Sequence, residues 1–321
     1  MKENRGLLVV NFGGPRSLGE ISSFLTELLQ DRDVVRTKFP VFFHRWFFAR
    51  VARKRAVKIR HDYELIGGRS PIFIDTEQIA EALSKRLKRP VATFHRYLPA
   101  THRGSLRAIG ECKEWEVLPL FPQFTYATTG SIARFLHTKL PHVRLHWIRS
   151  YPTHGAFVSS FIRRIRNFLN EKQLAEEKTI LLFSAHGVPK RFVEEGDPYQ
   201  RECEESFRAI ASGFPTAVCK LSYQSKFGRG EWIRPYTDET CMAVRSWNQG
   251  RSHIVIVPLA FLSDHIETLF EIEYQYLPLL RAGGMEAYRC PALNLESYWL
   301  DALADLVCTA PLVPTPSLIR H

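Results

Sequence analysis

The chain has 321 residues, 45% of them hydrophobic and 24% charged, which is enough apolar material for one large or two ordinary globular domains. A net charge of +11 and a sequence pI of about 9.5 point to an anionic partner: nucleic acid, a phospholipid surface or an acidic ligand. No apolar stretch is long enough to span a bilayer and no secretory signal opens the chain, so a cytoplasmic protein is expected. The six cysteines (Cys112, Cys203, Cys219, Cys241, Cys290 and Cys308) keep neither zinc-knuckle nor iron–sulfur spacing and read as reduced core residues.

Apolar runs alternate with amphipathic ones, the pattern of an α/β protein with parallel sheets. Strands are predicted at 7–11, 91–97, 116–119, 143–148, 179–183, 218–223, 254–258 and 286–289. Helical stripes lie between them, such as Ile21, Phe24, Leu25, Leu28 and Leu29, or Phe157, Phe161, Ile162, Ile165 and Leu169.

In chain order, Gly13-Gly14-Pro15 follows the first strand but lacks dinucleotide-binding spacing, and its proline stands where phosphate-facing amides are needed. The segment 34–61 carries nine Lys/Arg and no acidic residue, interleaved with Phe39, Phe42, Phe43, Trp46, Phe47 and Phe48. It reads as an interfacial membrane segment, as a lip over an acidic flat ligand, or as a nucleic-acid surface, though no nucleic-acid motif accompanies it. A basic helix whose aromatics merely pack inward accounts poorly for so many rings. Gly67-Gly68-Arg69-Ser70-Pro71 is a turn able to offer amides and a hydroxyl to an anion, or a plain loop.

Phe183-Ser184-Ala185-His186-Gly187-Val188-Pro189 sets a histidine in a tight turn past a buried strand. There it suits a nucleophile, a general base or a metal ligand. Tyr223-Gln224-Ser225-Lys226 follows another strand, and Trp232 is a core residue or a stacking platform. Asp264-His265-Ile266-Glu267 lies four residues beyond the apolar run 254–260, and an α-helix would align Glu267, Glu271 and Gln275 on one face. Such a ladder could conduct protons or cations; on spacing alone an ordinary solvated helix face is the favoured reading. The Pro-rich tail 311–316 is expected to be extended or mobile rather than helical.

An internal repeat connects these motifs. The run 8–15 resembles 182–189, and Leu118-Pro119-Leu120-Phe121 resembles Val257-Pro258-Leu259-Ala260-Phe261. Two similar doubly wound halves joined near residue 150 would explain it, with both elements at the carboxyl ends of strands, where such sheets bind ligands, facing a cleft.

Together these segments resemble the ferrochelatase family. The resemblance covers nearly the whole chain: 10–15, Gly67–Pro71, Arg96-Tyr97, Pro122-Gln123 with 128–131, Ser184–Gly187, Gly196–Tyr199, Tyr223–Lys226 and Ser263–Leu269. It implies two similar Rossmann-like domains, each a parallel sheet flanked by helices, with a cleft between them. The expected boundaries are 1–150 (with a porphyrin lip at about 39–60), 151–294, and a C-terminal helix and tail over 295–321 packing back on the body.

The implied activity is insertion of Fe²⁺ into a porphyrin. His186 and Glu267 are then the catalytic and metal-handling pair, Glu267 standing opposite His186, with Asp264, His265 and Glu271 as an outer proton or metal relay. Gln275 replaces a third carboxylate of the family's ladder. Substrate contacts would come from Phe12, Arg55, Lys58, Tyr63, Ser70, Arg96, Tyr97, Gln224, Ser225 and Trp232, with Arg55, Lys58 and Ser70 at the propionates. Phe42, Phe43, Trp46, Phe47 and Phe48 would form a lip touching an anionic membrane surface. No tightly bound cofactor and no [2Fe–2S] cluster is expected, since Cys308 stands alone; iron is a substrate. A monomer is expected, cytoplasmic or peripherally membrane-associated, with no nucleic-acid partner. Protoporphyrin IX is favoured over coproporphyrin III because coproporphyrin-using members often carry Tyr at the Phe12 position. The alternatives are a cobalt or nickel chelatase of another tetrapyrrole and a non-catalytic porphyrin or haem carrier.

Overall fold

A computed structural model describes residues 5–228 and 230–320. The chain divides into two compact units, Met1–Ser150 with Leu303–His321, and Tyr151–Ala302. The change of unit at Leu303 falls inside the helix Ser297–Thr309.

Nine strands form in the described residues: β1 (Gly6–Asn11), β2 (Val91–His95), β3 (Glu114–Pro119), β4 (Arg144–Ile148), β5 (Thr179–His186), β6 (Val218–Gln224), β7 (His253–Pro258), β8 (Glu286–Arg289) and β9 (Leu312–Pro314). The first unit holds a sheet of order β2-β1-β3-β4-β9, parallel except for β9, and the second a wholly parallel sheet of order β6-β5-β7-β8. β1 and β5 are central and buried almost throughout, which is why both read as unbroken apolar runs. Gly6 begins β1 because a Cβ there would lie 2.5 Å from the Trp115 ring.

The repeat is visible in the hydrogen bonding. Leu120 N–H donates to the Val10 carbonyl at 2.9 Å, and Leu259 N–H donates to the Ser184 carbonyl at 2.9 Å. In both units strand order reverses between the first strand and the proline-ended one, and that switch point is where parallel sheets place ligands.

Three local features depart from expectation. Beyond β7, Glu267–Tyr276 is a π-helix, and a shorter π-turn, Tyr126–Gly130, occupies the matching place beyond β3. In the helix Val41–Lys58, His44, Phe48 and Ala52 form the buried four-step stripe, with the Phe48 ring tilted at 4.6 Å from that of His44. Phe48 is therefore an inward anchor and not part of an exposed lip. The tail is neither mobile nor wholly extended. β9 pairs with β4, and Thr315–Leu318 makes a 3₁₀ turn held by Trp147 Nε1 donating to Thr315 Oγ1 at 3.0 Å, with Leu318 fully buried.

Candidate active site

The second unit gathers its polar side chains at the switch point. His186 ends β5, Glu267 opens the π-helix after β7, and β5 and β7 are hydrogen-bonded neighbours. The two side chains consequently stand side by side, His186 Nε2 lying 3.6 Å from Glu267 Oε1, both part-exposed. The expectation that Glu267 stands opposite His186 is corrected: adjacent strands deliver them to the same edge. His186 Nδ1 lies 2.5 Å from the Gly187 carbonyl, which can only accept, so Nδ1 carries the hydrogen and Nε2 of the neutral ring presents a lone pair. Gly187 permits this turn, since a Cβ would lie 3.0 Å from the Gln224 carbonyl and 3.2 Å from the Trp232 ring. Trp232 is buried, its ring 6.3 Å from that of His186.

Behind this pair lies Glu271. Ser225 Oγ donates to its Oε2 at 2.5 Å and Gln224 Nε2 at 3.1 Å, the same amide also donating to the Glu267 carbonyl at 2.8 Å. Gln224 is held in that orientation because Ser184 Oγ donates to its Oε1 at 2.7 Å, with Thr237 3.0 Å from Ser184. Burial and the neighbouring Glu267 charge push the Glu271 carboxyl up to about 7, against the lowering effect of its hydrogen bonds. A group poised there exchanges protons near neutral pH.

His265 faces Glu267 from the other side, Nε2 lying 3.5 Å from Oε2, while Nδ1 donates to the Ser263 carbonyl at 3.0 Å. Burial disfavours its charged form, but the hydrogen bond and charge of Glu267 outweigh that and raise its pKa. Asp264 is differently placed. One oxygen accepts from Thr268 and Arg289, both at 2.8 Å, and the other from Asn294 at 2.9 Å, so both oxygens are engaged. Gln275 is exposed; the residue beside Glu271 is the buried Tyr276, whose hydroxyl accepts from Ser225 N–H at 3.4 Å. Tyr276, Asn294 and the Ser184–Thr237 pair escaped sequence reasoning. The five-residue step from Glu271 to Tyr276 signals a partner only in a π-helix.

In the first unit Phe12 is part-exposed, its ring 5.0 Å from Tyr97 and 5.1 Å from Phe121. Arg96 and Tyr97, read as substrate contacts, are buried with their polar groups directed at Asp31, so they back Phe12 rather than stand open. Ser70 and Tyr63 are also buried, Ser70 against Gly14, where a Cβ would lie 2.6 Å away. Arg55 is half-buried and Lys58 exposed in the last turn of the helix Val41–Lys58. Phe42, Phe43, Trp46 and Phe47 are exposed on that helix, with Phe43 and Trp46 5.7 Å apart and Arg50 5.3 Å over Trp46.

A family model described as Ferrochelatase matches residues 4–310. The ferrochelatase of Chlamydia caviae is 45% identical over 315 residues, 98% of each chain, and that of Chlamydia felis 44% identical over 316 residues, again 98% of each. Among solved structures, SirB from Bacillus subtilis with Fe3+ shares the fold at a TM-score of 0.55, with 12% identity over 95% of this chain and 94% of that one. The chain belongs to the ferrochelatase family and is an enzyme of haem biosynthesis that inserts a metal ion into a tetrapyrrole.

Proposed function

We propose that this ferrochelatase inserts Fe²⁺ into protoporphyrin IX, with His186 and Glu267 taking up the protons that the ring releases. The observation that carries the reading is the His186 Nε2 lone pair, fixed by the Gly187 carbonyl and turned to a carboxylate 3.6 Å away. Forming haem breaks two pyrrole N–H bonds as four nitrogen–iron bonds form, and a distorted macrocycle exposes the nitrogen lone pairs for this. A neutral imidazole accepts the first proton and passes it to Glu267, freeing Nε2 for the second. Glu271, held by Gln224 and Ser225 and poised at about 7, takes protons onward. The same nitrogen and carboxylate oxygens suit transient ligation of the incoming Fe²⁺. His265 holds Glu267 in place, and Asp264, with both oxygens engaged, holds the loop instead of relaying protons.

Phe12 contacts the ring, while Arg55 and Lys58 attract propionates by charge-assisted hydrogen bonds. Phe12 lacks a hydroxyl, and the exposed aromatic lip suits the less polar porphyrin drawn from an anionic phospholipid surface. Among the described residues no helix is long and apolar enough to cross a membrane. Burial pushes the Cys241 and Cys290 thiols up to about 12.

The test is anaerobic Fe²⁺ insertion into protoporphyrin IX and coproporphyrin III side by side. Protoporphyrin is expected to give the higher kcat/KM, and the reverse order would overturn the substrate assignment. Purified Glu267→Gln should lose insertion by about a thousandfold while still binding porphyrin; unchanged insertion would overturn the site.

A further inference from the structure

The backbone register that sets His186 beside Gln224 in the second unit sets Phe12 beside Arg96 in the first. Gly187 N–H donates to the Gln224 carbonyl at 2.8 Å, and Tyr97 N–H donates to the Phe12 carbonyl at 2.9 Å. In each unit the two residues at or just past the end of the edge strand then reach a single carboxylate. Gln224 and Ser225 donate to Glu271; Arg96 Nη2 donates to Asp31 Oδ2 at 2.8 Å and Tyr97 OH at 3.0 Å, joined there by Ser131 Oγ.

The chemistry of the two carboxylates differs. Glu271 receives only neutral donors, which suits proton exchange. Asp31 is paired with the Arg96 guanidinium and is 9% exposed, which suits an anchor held in a fixed place. The Tyr97 ring that it holds lies against Phe12, and Phe24 closes the other edge of that ring at 6.4 Å. Asp31 also begins the loop running from the helix Ile21–Gln30 to the aromatic helix. Its carbonyl accepts from Val34 and Val35 N–H, and its Oδ1 from Asp33 N–H at 2.8 Å.

We propose that Asp31 is a positioning residue for substrate binding: through Tyr97 it fixes the Phe12 ring, and through its own loop the base of the aromatic lip. This rests on the reading that Phe12 contacts the porphyrin. In zinc insertion assays with protoporphyrin IX on the full chain, Asp31→Asn is expected to raise the porphyrin KM about tenfold while kcat changes less than about twofold. Tyr97→Phe keeps the ring and removes only the hydroxyl, which bonds Asp31 and lies 3.2 Å from Ser131 Oγ, and should raise that KM about threefold. Phe12→Ala separates the two ideas. If its porphyrin KM is unchanged, the ring contact itself is wrong. If it rises while folded Asp31→Asn and Tyr97→Phe keep the parent KM, or lose kcat alone, the role of Asp31 is overturned. Should Asp31→Asn fail to fold, Tyr97→Phe decides by the same criterion.

Discussion

Glu271 and His265 flank Glu267 and couple the site to pH in the same direction. Glu271 is raised from an ordinary 4.5 to about 7 by burial and by Glu267. Below about pH 4.5 its carboxyl is protonated whether the chain is folded or not. Above that, the folded protein keeps a proton that the unfolded chain has released, so stability falls as pH rises and levels off beyond about 7. His265, also raised, likewise loses its contribution as pH climbs through its folded pKa. Glu271→Gln isolates the first effect because it stays neutral. The parent's melting temperature is expected to fall relative to that of Glu271→Gln between about pH 5 and about pH 8; parallel curves would show that Glu271 titrates as an ordinary glutamate. At this scale the placement of His186 and Glu267 at or just past the ends of buried strands was legible from their motifs. The orientation of Gln224 was not, because it depends on Ser184 and Thr237, residues 40 and 13 positions away from it in sequence.

The stretch after β7 shows what an element contributes beyond its residues. A π-helix closes i→i+5 hydrogen bonds and needs more than four residues per turn, so the five-step pair Glu271 and Tyr276 meets Ser225 while Gln275 turns to solvent. Apolar periodicity has the same appearance for an α-helix and a short π-helix, which is why the wider turn could not be read from spacing. The loop before it is fixed by Asp264, whose oxygens bind Thr268, Arg289 and Asn294, and by Asn294 N–H donating to the Leu262 carbonyl at 2.8 Å. Asn294 does this from a φ of +47°, a backbone that asparagine tolerates better than most residues. Removing the Asp264 carboxylate would leave Arg289, a side chain 12% exposed, with Glu273 alone. Asp264→Ala is expected to cost about 3 kcal/mol in urea unfolding. A relay role without an anchoring one predicts instead a loss of rate at unchanged stability.

At the scale of the whole molecule, the two-sheet plan was legible because parallel strands buried on both faces cannot hide their apolar runs. β9 was not, being three residues that pair only after the chain has returned to β4. The helix Val41–Lys58 was half legible. Its composition announced a basic helix with more aromatic rings than could pack inward, but only the fold shows that His44, Phe48 and Ala52 take the inner stripe and leave Phe42, Phe43, Trp46 and Phe47 outside. The inner stripe has firm anchors: His44 Nδ1 lies 2.9 Å from Thr37 Oγ1, and Gln30 Nε2 donates to the Arg45 carbonyl at 2.8 Å. If the chain meets a membrane as proposed, the outer rings would insert into the headgroup region without the helix detaching, and the exposed Arg45, Arg50, Arg53 and Lys54 would meet lipid phosphates. Both terms would contribute to such binding, since burying apolar rings gains about 25 cal/mol per Å² and each cation near an anionic surface about 1 kcal/mol. Sedimentation with phosphatidylserine-containing vesicles is expected to retain the protein, and pure phosphatidylcholine vesicles to retain much less. Phe42→Ser with Trp46→Ser should weaken retention about tenfold at unchanged melting temperature, because both side chains are more than half exposed. Raising salt should weaken the parent further, as the cationic share is screened. Equal retention by both vesicle types, insensitive to salt and to the two serines, would show that the exposed rings serve the porphyrin alone.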